Sequence, residues 1–548
     1  MDIKTLDEGL SVAGQIRPEE VPGLAEAGFR TIICNRPDGE DPGQPTAAEI
    51  EIVARAAGIA FADLPVTGSS LTPEAARTFA GLLDTLPGPV LAYCRSGARS
   101  ERLWHMATEA APQSPGRRAV LVGGATLAAV AGLAAVAGRP SQAAVATRAR
   151  IVIAGGGAAG LTVATLLSRQ LEGAAITVIE PREEHNYQPG YTLVGAGVKP
   201  ADYTVLRTAD FMPAGVTWLR ETAAAFEPEA NAVVTDAGTR LEYDYLVVAT
   251  GLVLDYAAIE GMSTDLIGQH GIASVYAGPA AAAASWQALS AFADTGGVGI
   301  FTRPATDMKC AGAPLKQAFL ADDHLRRRGT RDRSEVIYTA HSKLLFSVPL
   351  VTDRVEELFV RQGIEVRREH VLAAIDPATR IARFATPEGG SAEMKWDFIN
   401  VIPPMRAPQS VRDSALPWQE GRMAADGWIE VDKFTLRHAR FANVFGVGDI
   451  CGVPKGKTAA SVKWQAPVAV HHIVEEIASR APVMTYNGYT SCPLITSIGT
   501  AMLVEFDYDD NLVPTFPGID PLAEGWLPWV IKEVGLKAAY TAMLQGKA

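Results

Sequence analysis

The sequence contains few of the residues that hold together a small secreted fold or a structural metal site. Its 548 residues include five cysteines, with no CxxC pair and no metal-ligand spacing among them: Cys34, Cys94, Cys310, Cys451 and Cys492. Disulfide frameworks and structural zinc need such clusters, so the sequence argues against both. The nine histidines form no metal motif, and we expect no metal. Because the opening residues are charged, we expect no signal peptide and predict a cytoplasmic protein.

The chain also lacks an excess of basic residues. Lys and Arg number 49 against 61 Asp and Glu, which gives a formal net charge of −12. Nucleic-acid phosphates are bound by clustered Lys and Arg, so nucleic acid is not an expected partner. The length exceeds what one hydrophobic core supports, and roughly three or four domains are expected.

Long apolar runs are scarce, with one exception at residues 119–138. This run is uncharged, follows Arg117 and Arg118, and is long enough to span a bilayer. It consists mostly of Ala, Gly, Val and Thr, which insert weakly into a membrane. We therefore favour an Ala-rich linker or interdomain helix, with a membrane-inserted helix as the alternative.

Residues 151–180 have the pattern of a βαβ unit that binds a dinucleotide. An apolar run leads into Gly155-x-Gly157-x-x-Gly160, and a helical stretch and a second apolar run end at Glu180. The glycines permit a tight turn, close approach of a pyrophosphate and close helix–strand packing, while the acid accepts ribose hydroxyls. The expected cofactor-binding residues here are Gly155, Gly157, Ala158, Ala159, Gly160 and Glu180.

Residues 1–112 read as a separate, small α/β unit. Apolar runs at 10–16, 31–34, 60–65 and 90–93 predict strands, and residues 18–27, 47–57 and 73–86 predict helices. The last strand leads into the sequence YCRSGARS, which begins at Tyr93. Backbone N–H groups of such a loop and the dipole of the following helix would lower the pKa of Cys94 and hold an anion.

This unit resembles the tyrosine-phosphatase-like domain of the beta-lactamase-hydrolase-like family through GFRTIICNRPDGE, LPVTGSSLTPE and PGPVLAYCRSGARS. The resemblance implies that Cys94 is a nucleophile. Tyrosine phosphatases place an arginine six positions after the cysteine, where this chain has Ser100, whereas Arg99 matches the spacing of rhodanese-type sulfurtransferases. Sulfur transfer and phosphatase activity both stay open, and a buried structural thiol is the alternative. Asp38 is a candidate general acid, although a role in a turn is favoured.

The chain after the βαβ unit resembles flavin disulfide-reductase-like folds. An apolar segment at 242–249 ends at Thr250 and Gly251, and VFGVGD, at 444–449, precedes a predicted helix at 458–470. The resemblance implies a fold of two dinucleotide-binding domains that holds FAD. It implies cofactor contacts from Ala223, Thr250, Gly251, Gly448 and Asp449.

The second dinucleotide-binding domain lacks a glycine fingerprint of its own. The predicted strand at 298–302 is followed by Arg303 and Pro304, which leaves no seat for a pyrophosphate and argues against NAD(P)H. The predicted organisation has a cysteine-loop domain at 1–112, a linker or membrane helix at 113–148, an FAD domain at 149–270 and 425–475, a Rossmann-like domain at 271–424 and a quinone- and membrane-associated region at 476–548.

The motifs HNYQPGYTLVGAGVKP, MKCAGAPLK, VIPPM, GVGDICGVPKGKTAASV, YNGYTSCPLIT and LVEFDYDDNLVPTFP resemble sulfide:quinone oxidoreductases of the mitochondrial and proteobacterial type, over residues 148–545. The resemblance implies that Cys310 and Cys451 are a redox pair, that Gln188 contacts FAD, and that Lys457 lies near the flavin or a quinone. Cys492 is expected to be structural.

The chemistry implied by this resemblance needs two thiols. Sulfide adds to a Cys310–Cys451 disulfide, one cysteine keeps a persulfide, and the other attacks the flavin C4a and reduces it. A small thiol or sulfite accepts the sulfur, and a membrane quinone accepts the electrons. The rival functions are an NAD(P)H-dependent flavin oxidoreductase and a redox-sensing phosphatase.

The tail from residue 519 mixes aromatic, aliphatic and basic residues at helical spacing, including Trp526, Trp529, Lys532 and Lys537. Such a helix suits a membrane interface, with core packing as the alternative. We therefore expect peripheral association with the inner membrane.

Overall fold

The computed structural model describes residues 3–109 and 144–547, apart from positions 8, 68–70, 73, 74, 77, 80, 81, 84, 85, 87, 517 and 518. The chain divides into two compact units between Ala128 and Ala129. The predicted linker or membrane helix at 119–138 lies outside the described residues. In the part of the chain that is described, no helix has the length and apolar character to cross a membrane. Both units are mixed α/β, as predicted.

The amino-terminal unit is a five-stranded sheet with helices. Its strands and helices are β1 (Ile3–Asp7), β2 (Leu10–Ala13), α1 (Val21–Glu26), β3 (Thr31–Cys34), α2 (Ala47–Ala56), β4 (Ala60–Asp63), β5 (Val90–Tyr93) and α3 (Ala98–Glu109). The strand order is β1-β2-β5-β3-β4, parallel except for the β1–β2 pair. The central β5 is buried along its whole length, and its carboxyl end delivers Cys94. The sequence missed β1, whose alternation is weak.

The carboxy-terminal unit contains many short strands. They are β6 (Val145–Ala146), β7 (Arg150–Ala154), β8 (Leu171–Glu172), β9 (Ala175–Ile179), β10 (Glu184–Asn186), β11 (Val205–Arg207), β12 (Thr217–Leu219), β13 (Ala223–Glu227), β14 (Ala232–Thr235), β15 (Arg240–Glu242), β16 (Tyr245–Val248), β17 (Val253–Leu254), β18 (Ile272–Ala273), β19 (Gly297–Phe301), β20 (Ser334–Ala340), β21 (Glu365–Arg368), β22 (Val371–Asp376), β23 (Ile381–Ala385), β24 (Ser391–Lys395), β25 (Phe398–Asn400), β26 (Met405–Arg406), β27 (Val444–Gly446), β28 (Thr490–Ser497) and β29 (Thr500–Phe506).

The α-helices of this unit are α4 (Ala158–Gln170), α5 (Tyr191–Val194), α6 (Pro279–Thr295), α7 (Ala313–Arg328), α8 (Pro349–Gln362), α9 (Gln409–Arg412), α10 (Arg422–Ala425), α11 (Ala459–Ile477), α12 (Trp526–Val530) and α13 (Leu536–Leu544). A π-helical turn, Ile531–Gly535, joins the last two.

Two parallel sheets form the frame of this unit. One has the order β12-β9-β7-β16-β27, and the other has the order β18-β25-β19-β20-β21. Each packs against helices on one face and against a three-stranded antiparallel sheet on the other, β13-β14-β15 for the first and β22-β23-β24 for the second, so its apolar strands are buried on both faces. Ligands of such folds bind beyond the carboxyl ends of the strands. The long β28–β29 hairpin packs against α7 and therefore adds a wall that is distant in sequence.

The carboxy-terminal helix α13 packs against α4 of the nucleotide-binding sheet. Thr165 Oγ1 donates a hydrogen bond of 2.8 Å to the Leu544 carbonyl, and Arg169 donates to the carbonyls of Gln545 and Gly546. Tyr540, Met543 and Leu544 join the core around α4. This end of the tail is thus part of the fold, so core packing applies to α13.

Candidate functional site

A cavity of about 580 Å³ lies beyond the strand ends of the carboxy-terminal unit. It collects residues from distant parts of the chain. Its walls include the predicted Gly155, Gly157, Ala158, Ala159, Glu180, Gln188, Thr250, Gly251, Gly448, Asp449, Lys457 and Cys310, together with Lys316, Cys492 and Lys532. Ala223, which starts β13, is not among the described residues that line this cavity. Gly160 lies just behind the wall.

The glycine loop between β7 and α4 has the geometry that a pyrophosphate needs. Gly155 adopts φ +108°, and a Cβ there would lie 2.4 Å from the Ala249 carbonyl oxygen. A Cβ at Gly160 would lie 1.7 Å from the Gly155 carbonyl oxygen, so only glycine permits this helix–strand contact. A Cβ at Gly157 would meet nothing within 4 Å. The open side at Gly157, above the N-terminus of α4, is where a pyrophosphate fits.

Glu180 ends β9 and is buried against the same loop. Its Oε2 accepts a hydrogen bond of 2.9 Å from the Gly156 N–H, and Arg182 pairs with the carboxylate at 2.8 Å. Burial raises the pKa of Glu180, but Arg182 and the backbone donors outweigh burial and lower it overall. An ionised acid at this position is suited to accept ribose hydroxyls.

The rest of the cavity wall carries polar groups, and some of them have no protein partner among the described residues. Thr250 Oγ1 and Tyr187 OH are buried with no hydrogen-bond partner among the described residues. Burial raises the pKa of Asp449. Lys457 Nζ donates to the carbonyls of Asp449 and Cys451 at 2.7 and 2.8 Å, and Gln188 Oε1 accepts 2.7 Å from Lys309. Unpaired buried polar atoms in a cavity lined by the glycine loop fit a bound cofactor.

Cys310 and Cys492 form a thiol pair in the cavity wall. Cys310 precedes α7 with φ +49°, and Tyr276 OH donates 3.1 Å to its carbonyl. Cys492 lies on β28, and a Cβ at Gly312 would be 2.4 Å from its sulfur. The glycine of Lys-Cys-Ala-Gly therefore makes room for the second thiol. The Cys492 thiol hydrogen-bonds to Cys310, which lowers the pKa of Cys310 and raises that of Cys492.

Two buried lysines complete this thiol centre. Lys316 Nζ donates to the Cys310 sulfur at 3.6 Å, and Lys532 Nζ donates to the Pro189 carbonyl at 2.6 Å. Burial lowers the pKa of Lys316, but the charges of Cys310 and Cys492 raise it overall. Burial and the charge of Lys316 lower the pKa of Lys532 to about 7. Cys310 is therefore the thiolate of the pair, held by adjacent cations.

The sequence predicts that Cys310 pairs with Cys451, but the structure places Cys492, and not Cys451, beside Cys310 in the cavity wall. Cys451 is fully buried in an apolar cluster with Trp428 and Ile429, and it is absent from the described cavity lining. Burial raises its pKa to about 12. The thiol beside Cys310 is that of Cys492, which the sequence analysis took as structural. The feature of the sequence that indicates a close neighbour beside Cys310 is Gly312, because a side chain at this position would collide with the Cys492 sulfur.

A further lobe of the cavity was missed by the sequence analysis. It is apolar at Trp464, Leu503, Val513 and Phe516 and polar at Glu505. Glu505 is buried, and its carboxylate accepts hydrogen bonds from Tyr489 and from the backbone and hydroxyl of Thr515. The lobe suits a planar apolar molecule with polar ring substituents.

The amino-terminal unit holds a separate thiol at the end of β5. Burial raises the pKa of Cys94, but the backbone N–H groups of Ser100, Ser96 and Arg99 outweigh burial and lower it overall. The loop and the first turn of α3 thus form the expected anion-binding cradle. The hydrogen bond to Glu40 and the charges of Glu40 and Cys94 raise the pKa of Arg99.

Arg99 is itself ion-paired. Its two terminal nitrogens bind the two carboxylate oxygens of Glu40 at 2.7 and 2.6 Å. Asp38 Oδ1 accepts a hydrogen bond of 2.8 Å from the Ala47 N–H at the start of α2. The role of Asp38 seen here is to hold the chain ahead of α2, which supports the turn interpretation over the general-acid interpretation.

Comparisons with known proteins divide at the same place as the two units. Residues 2–111 match the family described as "Beta-lactamase hydrolase-like protein, phosphatase-like domain", and residues 149–282 match "Pyridine nucleotide-disulphide oxidoreductase". A beta-lactamase hydrolase-like protein of Agrobacterium fabrum is 38% identical over 99 residues, which are 18% of this chain and 23% of that protein.

The carboxy-terminal unit has relatives along most of its length. A mitochondrial sulfide:quinone oxidoreductase of Dictyostelium discoideum is 35% identical over 400 residues, covering 73% of this chain and 86% of that protein. The crystal structure of the sulfide:quinone oxidoreductase from Aquifex aeolicus aligns with a TM-score of 0.61 at 20% identity, over 73% of this chain and 92% of that chain, and shows the shared fold. The chain therefore belongs to the sulfide:quinone oxidoreductase family, a family of flavoproteins, and carries a beta-lactamase-hydrolase-like phosphatase-like domain ahead of it.

Proposed function

We propose that the carboxy-terminal unit oxidises sulfide to sulfane sulfur and passes two electrons through FAD to a membrane quinone. The observation that carries the proposal is the pairing of Cys310 and Cys492 in the wall of the cofactor cavity, beside Lys316. A two-electron oxidation at sulfur needs two thiols that can form a disulfide, with an electron acceptor at hand.

FAD is the proposed form of the flavin. The open face at Gly157 and the acid Glu180 suit the pyrophosphate and ribose of a dinucleotide, and Thr250, Asp449 and Lys457 lie along the rest of the cavity. When bound, the flavin supplies a two-electron acceptor. The protein residues bind it, exclude water and hold the thiols.

The two pKa shifts give the thiols different roles. Hydrosulfide attacks one sulfur of the oxidised pair, and the sulfur with the lower pKa is the better leaving group. That sulfur belongs to Cys310, so Cys492 keeps the added sulfur as a persulfide and Cys310 becomes a thiolate. Release of the outer sulfur to an acceptor leaves Cys310 and Cys492 as two thiols, and a bound flavin would supply the two-electron acceptor that lets them close to the disulfide again.

The proposed sulfur acceptor is a small thiol or sulfite. A thiol takes the sulfane sulfur as a new persulfide, and sulfite takes it as thiosulfate, so the product identifies the acceptor. The proposed electron acceptor is a quinone in the lobe lined by Trp464, Val513 and Phe516, because an apolar wall with Glu505 at one end suits a quinone ring.

A membrane surface is the proposed location of the quinone exchange. Trp526, Leu527 and Val534 of the tail are 44%, 49% and 45% exposed, and aromatic and aliphatic residues beside lysines suit a membrane interface. Since α13 packs on α4, deletion of the tail would also disturb the cofactor site. Replacing Trp526 and Leu527 by Ser should instead weaken binding to anionic phospholipid vesicles while flavin content stays unchanged. Vesicle binding equal to that of the parent protein would place the contact elsewhere.

For the amino-terminal unit we propose sulfur transfer through Cys94. The backbone cradle favours a reactive thiolate, and the neighbouring unit produces sulfane sulfur. Two sites on one chain also work at a raised effective concentration. Phosphatase activity is the competing function, and hydrolysis of aryl phosphates dependent on Cys94, without sulfur transfer, would establish it.

The test of the main proposal uses the purified protein with a short-chain quinone under anaerobic conditions. Sulfide should reduce the quinone and bleach the flavin, and NADH should do neither. Bleaching by NADH without any by sulfide would instead make the protein a pyridine-nucleotide-dependent flavin reductase.

A further inference from the structure

The loop that follows β3 places two carboxylates against the cradle of Cys94. Arg99 Nη1 and Nη2 donate to Glu40 Oε1 and Oε2 at 2.7 and 2.6 Å, a two-pronged pairing, and Nη1 also donates 2.6 Å to the Val66 carbonyl. This pairing uses the same two nitrogens with which an arginine holds two oxygens of a phosphate.

The neighbouring arginines, Arg36 and Arg95, are also paired with carboxylates. Arg36 Nε pairs with Glu40 at 3.0 Å, Arg36 Nη2 pairs with Asp41, and Arg95 Nε lies 3.1 Å from Asp41. Within the described residues, the three guanidinium groups of this network therefore face two carboxylates and the Cys94 thiolate. The network has no positive charge left over for a further dianion.

The Cys94 sulfur, in contrast to Arg99, is surrounded by hydrogen-bond donors that no carboxylate occupies. The backbone N–H groups of Ser100, Ser96 and Arg99 lower the pKa of Cys94 and so favour negative charge on its sulfur. The Ser100 hydroxyl is fully buried and has no hydrogen-bond partner in the described structure, so it is available to a group added at Cys94. These donors stabilise one added anionic or polar atom on sulfur.

We propose that Glu40 is a specificity-determining residue: by occupying Arg99 it excludes dianionic oxyanions, such as phosphate and thiosulfate, and leaves Cys94 selective for the sulfane sulfur of a persulfide. The proposal deepens the proposed sulfur transfer at Cys94. A persulfide carries at most a single charge at its reacting end, and its outer sulfur can be held by the cradle without help from Arg99.

The transfer step balances without an added oxidant. The Cys94 thiolate attacks the outer sulfur of R–S–S–H, the S–S bond of the donor breaks, and R–S⁻ leaves. The new S–S bond gives Cys94–S–S–H, which keeps the proton of the sulfane sulfur. Attack of an acceptor thiolate on that outer sulfur then returns the Cys94 thiolate.

The test compares Glu40→Gln and Glu40→Ala with the parent protein, each as the full flavin-loaded chain. Glu51→Gln is the matched control, because Glu51 is also ion-paired with an arginine, Arg55, at 2.6 Å in the same unit. Protection of Cys94 from iodoacetamide by inorganic phosphate or by thiosulfate gives the affinity for each anion. Flavin content and the melting temperature report whether each variant folds.

Freeing Arg99 should raise the affinity for phosphate and thiosulfate roughly tenfold or more in both Glu40 variants, since a unit charge at hydrogen-bonding distance is removed. The parent protein and Glu51→Gln should show weak, equal protection. Tight phosphate binding by the parent protein, or unchanged affinity in folded Glu40 variants, would overturn the proposal.

A second measurement separates this proposal from the sulfur-transfer function. Glutathione persulfide is offered to the parent protein, and the Cys94 peptide is weighed for one added sulfur. No added sulfur on Cys94 would reject the sulfur-transfer function, whereas the anion affinities of the Glu40 variants are read independently. A persulfide rate that rises together with anion affinity in Glu40→Gln would show that Glu40 blocks all substrates and would overturn the claim of selectivity.

Discussion

The two thiols that we propose to be reactive, those of Cys94 and Cys310, are stabilised as thiolates by different means. Cys94 lies at a strand end in a loop whose backbone N–H groups lower its pKa, and the arginines around it are neutralised by carboxylates. Cys310 lies in the wall of the large cavity with a second thiol and the ammonium groups of Lys316 and Lys532. Backbone donors are fixed by the fold, whereas lysine charges depend on individual side chains. The comparison therefore predicts that point substitutions will disturb Cys310 far more than Cys94.

The largest effect in this comparison is expected from Gly312→Ala. A Cβ at this position would lie 2.4 Å from the Cys492 sulfur, so the thiols must separate. Sulfide-driven flavin reduction should fall roughly 10²-fold if the pair acts covalently, while flavin stays bound. Gly535→Ala is the control, because a Cβ there meets nothing within 4 Å. Rapid-mixing absorbance measures the rate, and a normal rate in Gly312→Ala would contradict the thiol pair.

Lys316→Met should have the next largest effect. Its ammonium lies 3.6 Å from the Cys310 sulfur, and its removal raises the pKa of Cys310 by roughly one unit or more. The pH dependence of Cys310 alkylation, followed by peptide mass spectrometry, measures this pKa. The control is Lys395→Met, at an exposed position on β24, which should leave the pKa of Cys310 unchanged. An unchanged pKa of Cys310 in Lys316→Met would show that the hydrogen bond from Cys492 is enough to lower this pKa without Lys316.

Arg99→Met should change the pKa of Cys94 much less than Lys316→Met changes that of Cys310. The charge of Arg99 is balanced by Glu40, and the backbone cradle persists without it. We expect a shift below about half a unit, measured by the same alkylation titration. A shift as large as that of Cys310 would remove the distinction between the two thiols.

The smallest effect concerns pH and Lys532. Its pKa is lowered to about 7 by burial and by the charge of Lys316, so its ammonium is present below pH 7 and lost above it. Loss of this cation makes the Cys310 thiolate more basic and more nucleophilic, so its alkylation rate should rise a few-fold through pH 7. The step in the Cys310 alkylation rate should be missing in Lys532→Met. A step at the same pH in Lys532→Met would assign it to another group.

Short-range features of the sequence predicted the frame of the molecule well. The spacing of Gly155, Gly157 and Gly160 specifies a local turn, and the structure shows the close contacts that forbid a Cβ at two of these positions. The α/β class of both units follows from strand and helix periods that act within ten or twenty residues.

The contacts that depend on packing between distant parts of the chain could not be predicted from the sequence. Cys492 reaches Cys310 only because the β28–β29 hairpin packs against α7, and nothing near Thr-Ser-Cys-Pro encodes that contact. The position of Cys451 just after Gly448 and Asp449 favours it as the partner of Cys310, yet the Cys451 side chain lies in the apolar core. Glu40 is distant in sequence from Arg99, so its ion pair was equally invisible.

The central claim is that Cys310 works with Cys492. The most direct test is the rate of sulfide-driven flavin reduction in Cys492→Ser, with Cys451→Ser as the matched control. The account predicts a loss of roughly 10²-fold or more in Cys492→Ser with flavin still bound, and a rate close to that of the parent protein in Cys451→Ser. A normal rate in Cys492→Ser together with a large loss in Cys451→Ser would contradict it.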